Sequence, residues 1–330
     1  MRPLLIFAAL ATLAHGATAE KETAEPSEPA AEASRLGPPR VMQYRIGAEI
    51  TATRGPCRDI VAMVCVPLDC PEQQVKILNE DFSTEVREVT ERNLGGGARQ
   101  MMISVPALPD GATARAVLTV EVTTHTILPP EETDHLKIPQ KLDRNLRKYI
   151  SGSPYIEVNH RLIKSLSKEI MSGVDPAATD WEKIEAIYDK VLEKVEYVEG
   201  IDKSALDSLR DGQADCQGRS MLFIALCRAN KIPARMVWVD GHAYAEFYLE
   251  SEAASRLGEP GKGEWYPIES AGTRAFGEMP LARPILQKGD NFRVPERKER
   301  LRYASDYLIG YPIPGSGKPK AQYIRQQVTQ

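Results

Sequence analysis

Gly212-Gln213-Ala214-Asp215-Cys216-Gln217-Gly218-Arg219-Ser220 runs straight into Met221-Leu222-Phe223-Ile224-Ala225-Leu226. Small and polar residues feeding an apolar run read as a loop entering a helix. The spacing predicts a helix that starts at Cys216, reaches about Asn230 and is stopped by Pro233. A thiol in a first helical turn feels the positive end of the helix dipole, which favours the nucleophilic thiolate.

Downstream, Met236–Val239 and Ala243–Leu249 read as strands joined at Asp240-Gly241, a two-residue hairpin signal. His242 opens the second of these strands, immediately after the turn. Trp265–Ile268 reads as a third strand, and Glu269 ends it. A thiol, an imidazole and a carboxylate, each at the edge of its own element, form the pattern of a thiol acyl-transfer site. Cys216 is the expected nucleophile. His242 is the expected base toward the thiol and acid toward the leaving group. Glu269 is the expected acceptor orienting the ring. Asp240 is a rival that the turn should aim away. Glu246 shares a strand face with His242 but lies four residues along, roughly 13 Å. A cysteine before an apolar run is by itself more often a buried thiol, and a histidine at a turn more often faces solvent; the three contexts in order favour the reactive reading. His15, His125, His135 and His160 fall in other contexts.

Preceding this region, Leu162, Ile163, Leu166 and Ile170 mark an amphipathic helix. Thr179-Asp180-Trp181-Glu182 fits a capping box for the next one, with Trp181, Ile184, Ile187, Val191 and Val195 inward. Toward the N-terminus the period becomes two. Met42, Tyr44, Ile46, Ala48, Ile50 and Ala52 alternate with polar residues, as do Ala114, Ala116, Leu118, Val120 and Val122. Ile60–Val66, Val75–Leu78 and Met101–Val105 are further expected strands, separated by turn chemistry such as Gly55-Pro56 and Pro109-Asp110-Gly111. Short strands at this spacing predict a small β-sandwich.

Met1-Arg2, the apolar stretch Leu4–Leu13 and Ala17-Thr18-Ala19 have the form of a signal peptide cleaved after Ala19, so a secreted or periplasmic protein is expected. The apolar stretch is too short to span a bilayer. The expected organisation is a signal peptide (1–19), a disordered Ala/Glu/Pro-rich leader (20–40), a β-sandwich (41–128), a polar connector (129–153), a catalytic α+β domain (154–311) and an extended tail (312–330). Lys298–Leu308 is an expected helix. The net charge of −4 lacks a basic block, which argues against a nucleic-acid partner; a protein or peptide substrate is what the thiol-site reading implies. Lys and Arg clusters such as Arg297-Lys298-Glu299-Arg300 alternate with acids and read as a solvated face. The cysteines number five. In an oxidising compartment two of Cys57, Cys65 and Cys70 are candidates for a disulfide, with all three reduced as the alternative. They lack metal-site spacing. Cys227 reads as a buried apolar residue. No cofactor and no metal is implied.

Gly212-x-x-Asp215-Cys216, then Ser220-x-Leu222-Phe223-Ile224-Ala225-Leu226-Cys227-Arg228-Ala229-x-x-Ile232-Pro233-Ala234-Arg235, then Gly241-His242-Ala243-Tyr244-Ala245-Glu246-Phe247-Tyr248-Leu249, then Trp265-Tyr266-Pro267-Ile268-Glu269 resembles the transglutaminase-like superfamily over about Ile156–Thr273. The resemblance implies a papain-like core with Cys216 as nucleophile and His242 as base, in an exported cysteine protease, amidase or acyltransferase. It also implies a preceding sandwich, a weaker match carried by Val66-Pro67-Leu68 and Gln73-Gln74-Val75. Two departures stand out. Ala214 occupies a position usually glycine, tolerable unless the turn demands positive φ. Glu269 occupies a position usually aspartate, one methylene shorter. The resemblance further suggests that Tyr197 borders the oxyanion site, with burial in the core as the alternative; the Cys216 N–H is the safer expected oxyanion donor. Glu269 also feeds an alternative, a non-catalytic binding or envelope-scaffold protein that keeps the fold.

Overall fold

A computed structural model describes residues 35–95, 97–257 and 262–328. The expected signal peptide and most of the expected leader lie outside the described residues. The first strands are β1 (Leu36–Thr51), β2 (Cys57–Val66), β3 (Gln73–Phe82), β4 (Glu88–Leu94), β5 (Ala98–Leu108) and β6 (Thr113–Ile127). β1 pairs antiparallel with β6, and β6 with β3. β2 pairs with β5, which also carries β4. The alternating residues do what their period requires. Tyr44, Ile46, Ala48 and Ile50 of β1 and Leu118, Val120 and Val122 of β6 pack against Ile60, Ala62 and Val64 of β2 and Met101, Ile103 and Val105 of β5.

The second half holds β7 (Leu136–Lys137), α1 (Arg144–Arg147), α2 (Arg161–Gly173), α3 (Asp180–Lys194), β8 (Glu196–Tyr197), α4 (Ala205–Asp211), β9 (Gln213–Ala214), α5 (Cys216–Ala229), β10 (Ala234–Val239), β11 (His242–Ser251), α6 (Glu252–Leu257), β12 (Gly263–Glu269), β13 (Ala275–Phe276), β14 (Ile285–Lys288), β15 (Tyr307–Pro312) and β16 (Lys320–Gln327). α5 is buried from Gly218 to Arg228. It packs on β11 and β10, with α2, α3 and α4 around it. That burial explains why its sequence is apolar all round rather than striped. The capping box of α3 forms as expected, with the Thr179 N–H 2.7 Å from Glu182 Oε2 and the Glu182 N–H 3.2 Å from Thr179 Oγ1.

One sheet links the two halves, in the order β13-β12-β11-β10-β14-β5-β2-β15. The join between β14 and β5 is narrow. Gln287 faces Ala98, and Lys288 N–H donates to Gly97 O at 2.7 Å. A Cβ at Gly97 would sit 2.0 Å from that lysine's carbonyl oxygen, so the close approach requires glycine. A buried charge cluster reinforces the join. Lys288 Nζ contacts Glu72 and lies 3.0 Å from Glu246 Oε1, while Arg235 Nε donates to Glu246 Oε2 at 2.9 Å. Arg235 also lies over the Trp265 ring at 3.8 Å.

Several expectations change. Leu36–Arg40, expected in the disordered leader, extends β1 along β6, with Leu36 facing Ile127 and Pro39 facing His125. The partner strand β16 begins only at Tyr44, so the prolines sit where β1 has one neighbour. Lys298–Leu308 is not a helix. Leu301 bridges Phe292, and Gln287 bonds both the carbonyl (2.7 Å) and the N–H (2.8 Å) of Ala304. A buried amide thus holds the backbone extended against its helical propensity. The tail is extended but not free, since β16 lies along β1 as the outer strand of the first sheet. Leu162 is on the exposed side of α2. β4 and α4 have no counterpart in the periodicity: β4 is largely polar, and α4 is too short to show a repeat. Cys57, Cys65 and Cys70 are free thiols in three different apolar clusters. The Cys65 thiol donates to Ala304 O at 2.6 Å and the Cys57 thiol to Gly317 O at 3.3 Å. Cys227 is fully buried, as read.

Candidate active site

The nucleophile's position is set by what precedes it. Gly212 ends α4 in the left-handed region at φ +67°, which turns the chain. Gln213 and Ala214 then pair in parallel with Glu196 and Tyr197. Ala214 lies in this strand and not at positive φ, which is why alanine serves there. Asp215 caps α5: its Oδ1 accepts from Gln217 N–H at 2.9 Å and Gly218 N–H at 3.1 Å. Burial raises the Asp215 pKa, although the two backbone donors oppose the shift. Gly218 permits the tight first turn, because a Cβ there would lie 2.7 Å from that of Ala214. Cys216 is the first residue of α5 and is partly exposed. Its N–H has no acceptor among the described residues, as expected of an N-terminal helical amide.

His242 and Glu269 come from neighbouring strands of the sheet. Val239 faces His242 across the hairpin, and β12 runs antiparallel to β11 so that its end returns toward the turn. Nε2 of His242 and Oε2 of Glu269 are 2.8 Å apart. The other carboxylate oxygen, Oε1, accepts from Ala271 N–H at 2.8 Å. The extra methylene of glutamate is therefore accommodated with both oxygens engaged. The Cys216 side chain is close enough to the imidazole to raise its pKa. Nε2 is committed to the carboxylate, which leaves Nδ1 as the ring nitrogen available to a second partner. Burial pulls the imidazole pKa down, but the hydrogen bonds from Cys216 and Glu269 and their negative charge outweigh it and hold the pKa up at about 9. The arrangement favours an imidazolium across neutral pH.

Residues that the sequence reading passed over brace this geometry. Arg219 Nη1 donates to Ser270 O at 2.6 Å and Nη2 to Leu192 O at 3.4 Å. Ser220 Oγ and Ser270 Oγ are 2.9 Å apart, and Ser270 Oγ donates to Cys216 O at 3.3 Å. The buried Tyr188 hydroxyl donates to Glu269 O at 2.5 Å. The segment carrying the carboxylate is thus pinned to the helix carrying the thiol. Arg219 and Ser220 stand beside Cys216, and Ser270 beside Glu269, but nothing in their spacing marks the contact. Tyr197 is 40% exposed and close enough for a Cys216 charge to raise its pKa, second to burial. The rivals for the carboxylate role are engaged elsewhere. Asp240 accepts from the Tyr44 hydroxyl at 3.1 Å, and Glu246 belongs to the Arg235–Lys288 cluster. No group of three His, Cys, Asp or Glu side chains suited to a metal ion occurs among the described residues. No helix among them is long and apolar enough to cross a membrane.

Comparison with known proteins bears on the fold that carries this site. Residues 164–270 match the family model of the transglutaminase-like superfamily. No curated protein sequence matches the chain. A solved structure of a candidate cysteine protease from Cytophaga hutchinsonii is similar at a TM-score of 0.54 and 19% identity, over 88% of this chain and 92% of that one. At that identity the likeness speaks for the fold. A candidate protease from Parabacteroides distasonis ATCC 8503 is 12% identical over 73% of this chain and 48% of its own, at a TM-score of 0.26, which is too low to argue from. The chain is a mixed helix–sheet protein with a strand-rich N-terminal region and a core, residues 164–270, that matches the transglutaminase-like superfamily model and is similar to a papain-like fold.

Proposed function

We propose that the chain is an exported cysteine hydrolase of peptide or carboxamide bonds that works through an acyl-thioester on Cys216. The observation that carries this reading is the His242 imidazole bonded to the Glu269 carboxylate at 2.8 Å, with Cys216 at the start of α5 close enough to raise its pKa. In the proposed reaction the thiolate attacks the carbonyl carbon, forming the C–S bond. The oxyanion is met by the free N–H of Cys216. The imidazolium gives its proton to the leaving amine as the C–N bond breaks, and the acyl-thioester remains. The neutral imidazole then takes a proton from water as it attacks the thioester. The carboxylic acid departs, and the thiolate–imidazolium pair is restored. Glu269 keeps the ring oriented and stabilises its positive charge. Export rests on the N-terminal segment Met1–Ala19.

Two measurements test the proposal. Iodoacetamide should label Cys216 rapidly at mildly acid pH, and the rate should fall to that of an ordinary thiol in His242→Ala. Equal slow labelling of both would instead favour the non-catalytic binding reading. Incubation with a peptide library and a primary amine then separates the outcomes. Free carboxylic acid products support hydrolysis, and amine incorporation assigns cross-linking.

A further inference from the structure

Beside the narrow join of the long sheet lies a pocket of about 290 Å³, with Lys148, Tyr149, Asn291, Phe292, Arg293 and Arg300 in its wall. It is separate from the Cys216 site. Gly289, also in the wall, donates its N–H to Met236 O. Met236 stands three residues before Val239, the hairpin partner of His242, which is roughly 10 Å along the strand.

In the sequence Arg293-Val294-Pro295-Glu296-Arg297-Lys298-Glu299-Arg300 the charges look balanced. The fold sorts them. Glu296 takes both Nη atoms of Arg92, at 2.7 and 3.0 Å. Glu299 pairs with Arg297 at 3.1 Å. Arg293 and Arg300 have no carboxylate partner among the described residues. Lys148 reaches the Gly95 carbonyl at 3.0 Å and the Tyr149 ring at 4.7 Å, and likewise meets no acid among them. The charged residues deeper in the pocket are already neutralised: Lys288 by Glu72 and Glu246, and Asp290 by Arg228 at 2.6 Å. The surplus facing the pocket is therefore cationic. Asn291 adds a buried amide oxygen without a partner, and rotating that amide would present its NH₂ instead. Guanidinium forks match oxyanions bidentately. Tyr149 and Phe292 supply apolar wall, and the volume sits at the small end of ligand pockets.

We propose that this pocket binds a small organic dianion, a phosphate monoester with an apolar substituent, independently of the Cys216 chemistry. The phosphate would sit between Arg293, Arg300 and Lys148, and the substituent against Tyr149 and Phe292. Calorimetric titration with phenyl phosphate at fixed ionic strength tests it. Saturable binding is expected, weakened about tenfold or more in the double variant Arg293→Ala/Arg300→Ala and unchanged in Arg297→Ala. The Cys216 alkylation rate should match wild type in each variant, which reports an intact fold. On the wild-type chain, phenyl phosphate should also protect Lys148 from acetylation, a readout that needs no variant. Non-saturable heats, equal affinity in the double variant, equally tight binding of phenol, or absence of Lys148 protection would overturn the assignment.

Discussion

Arg219 Nη1 lies 2.6 Å from the carbonyl oxygen of Ser270, so the residue three past the thiol grips the residue one past the carboxylate. Helix and sheet are separate elements here, and their relative position decides whether sulfur and imidazole meet. Among the described residues no carboxylate pairs with the buried guanidinium. It serves two carbonyls, Ser270 O and Leu192 O, and desolvation lowers its pKa.

Arg219→Met should therefore act on position more than on binding. The buried Ser270 carbonyl loses its donor, a cost of about 1–3 kcal/mol, and the part-buried Leu192 carbonyl loses a longer contact. Misplacement of the carboxylate segment should lower kcat by roughly 10–100-fold with KM little changed. Urea unfolding and steady-state kinetics on the same preparation check both. Arg219→Lys, which keeps one donor reach, should recover part of kcat.

Glu269→Gln keeps a hydrogen-bonding group near His242 but removes the charge. The imidazolium loses its counter-charge, and kcat should fall by about 10³–10⁴-fold, the scale known for an orienting aspartate. Glu269→Asp restores the charge but shortens the reach, and should fall between the two. Rates of acyl-enzyme formation under single-turnover conditions measure the effect directly.

The pH dependence follows from the raised His242 pKa. The folded value of about 9 lies above the ordinary histidine value of 6.5. The stability contributed by imidazolium is present in full below about 6.5 and is lost as pH rises through about 9. Activity should show an alkaline limb near pH 9, where the general acid loses its proton. In Glu269→Gln that limb should move to lower pH. A histidine NMR titration of the Cys216→Ser variant should show the pKa reduced but still raised by Glu269.

The cap of α5 should be separable from the chemistry. Asp215→Ala removes the acceptor for two N–H groups and should cost about 0.5–2 kcal/mol in thermal or urea unfolding. Asp215→Asn, which keeps the acceptor, should recover most of it.

Arg228 and Asp290 are a stronger structural test. Both side chains are essentially fully buried and pair at 2.6 Å, with Ser153 Oγ donating to the other aspartate oxygen at 2.5 Å. Asp290→Asn should destabilise by about 3–5 kcal/mol, because the arginine charge stays buried without its partner. Arg228→Met combined with Asp290→Asn should cost less than the first change alone, as a double-mutant cycle by urea unfolding would show.

Local residue patterns carried the strand and helix periods, the α3 capping box, the Cys216 helix and the hairpin that presents His242. Each is written within a few neighbouring positions: alternation in β1, Thr179 with Glu182, and Asp240-Gly241 between two apolar runs. Elements lacking such a signature were illegible, as β4, α4 and the route of residues 298–308 show. The last of these is held extended by Gln287, a side chain more than ten positions earlier.

From the residues alone follow the kind of chemistry available and the elements that bear it, since propensity, capping and apolar period are short-range properties. Packing closed the contact between His242 and Glu269 that the sequence led one to expect, and it alone determined that Arg219 ties helix to strand, that β16 returns to β1, and that Arg293 and Arg300 are left without acids among the described residues. Those outcomes depend on which distant side chains compete for the same charge or hydrogen bond, and that competition exists only once the chain has folded.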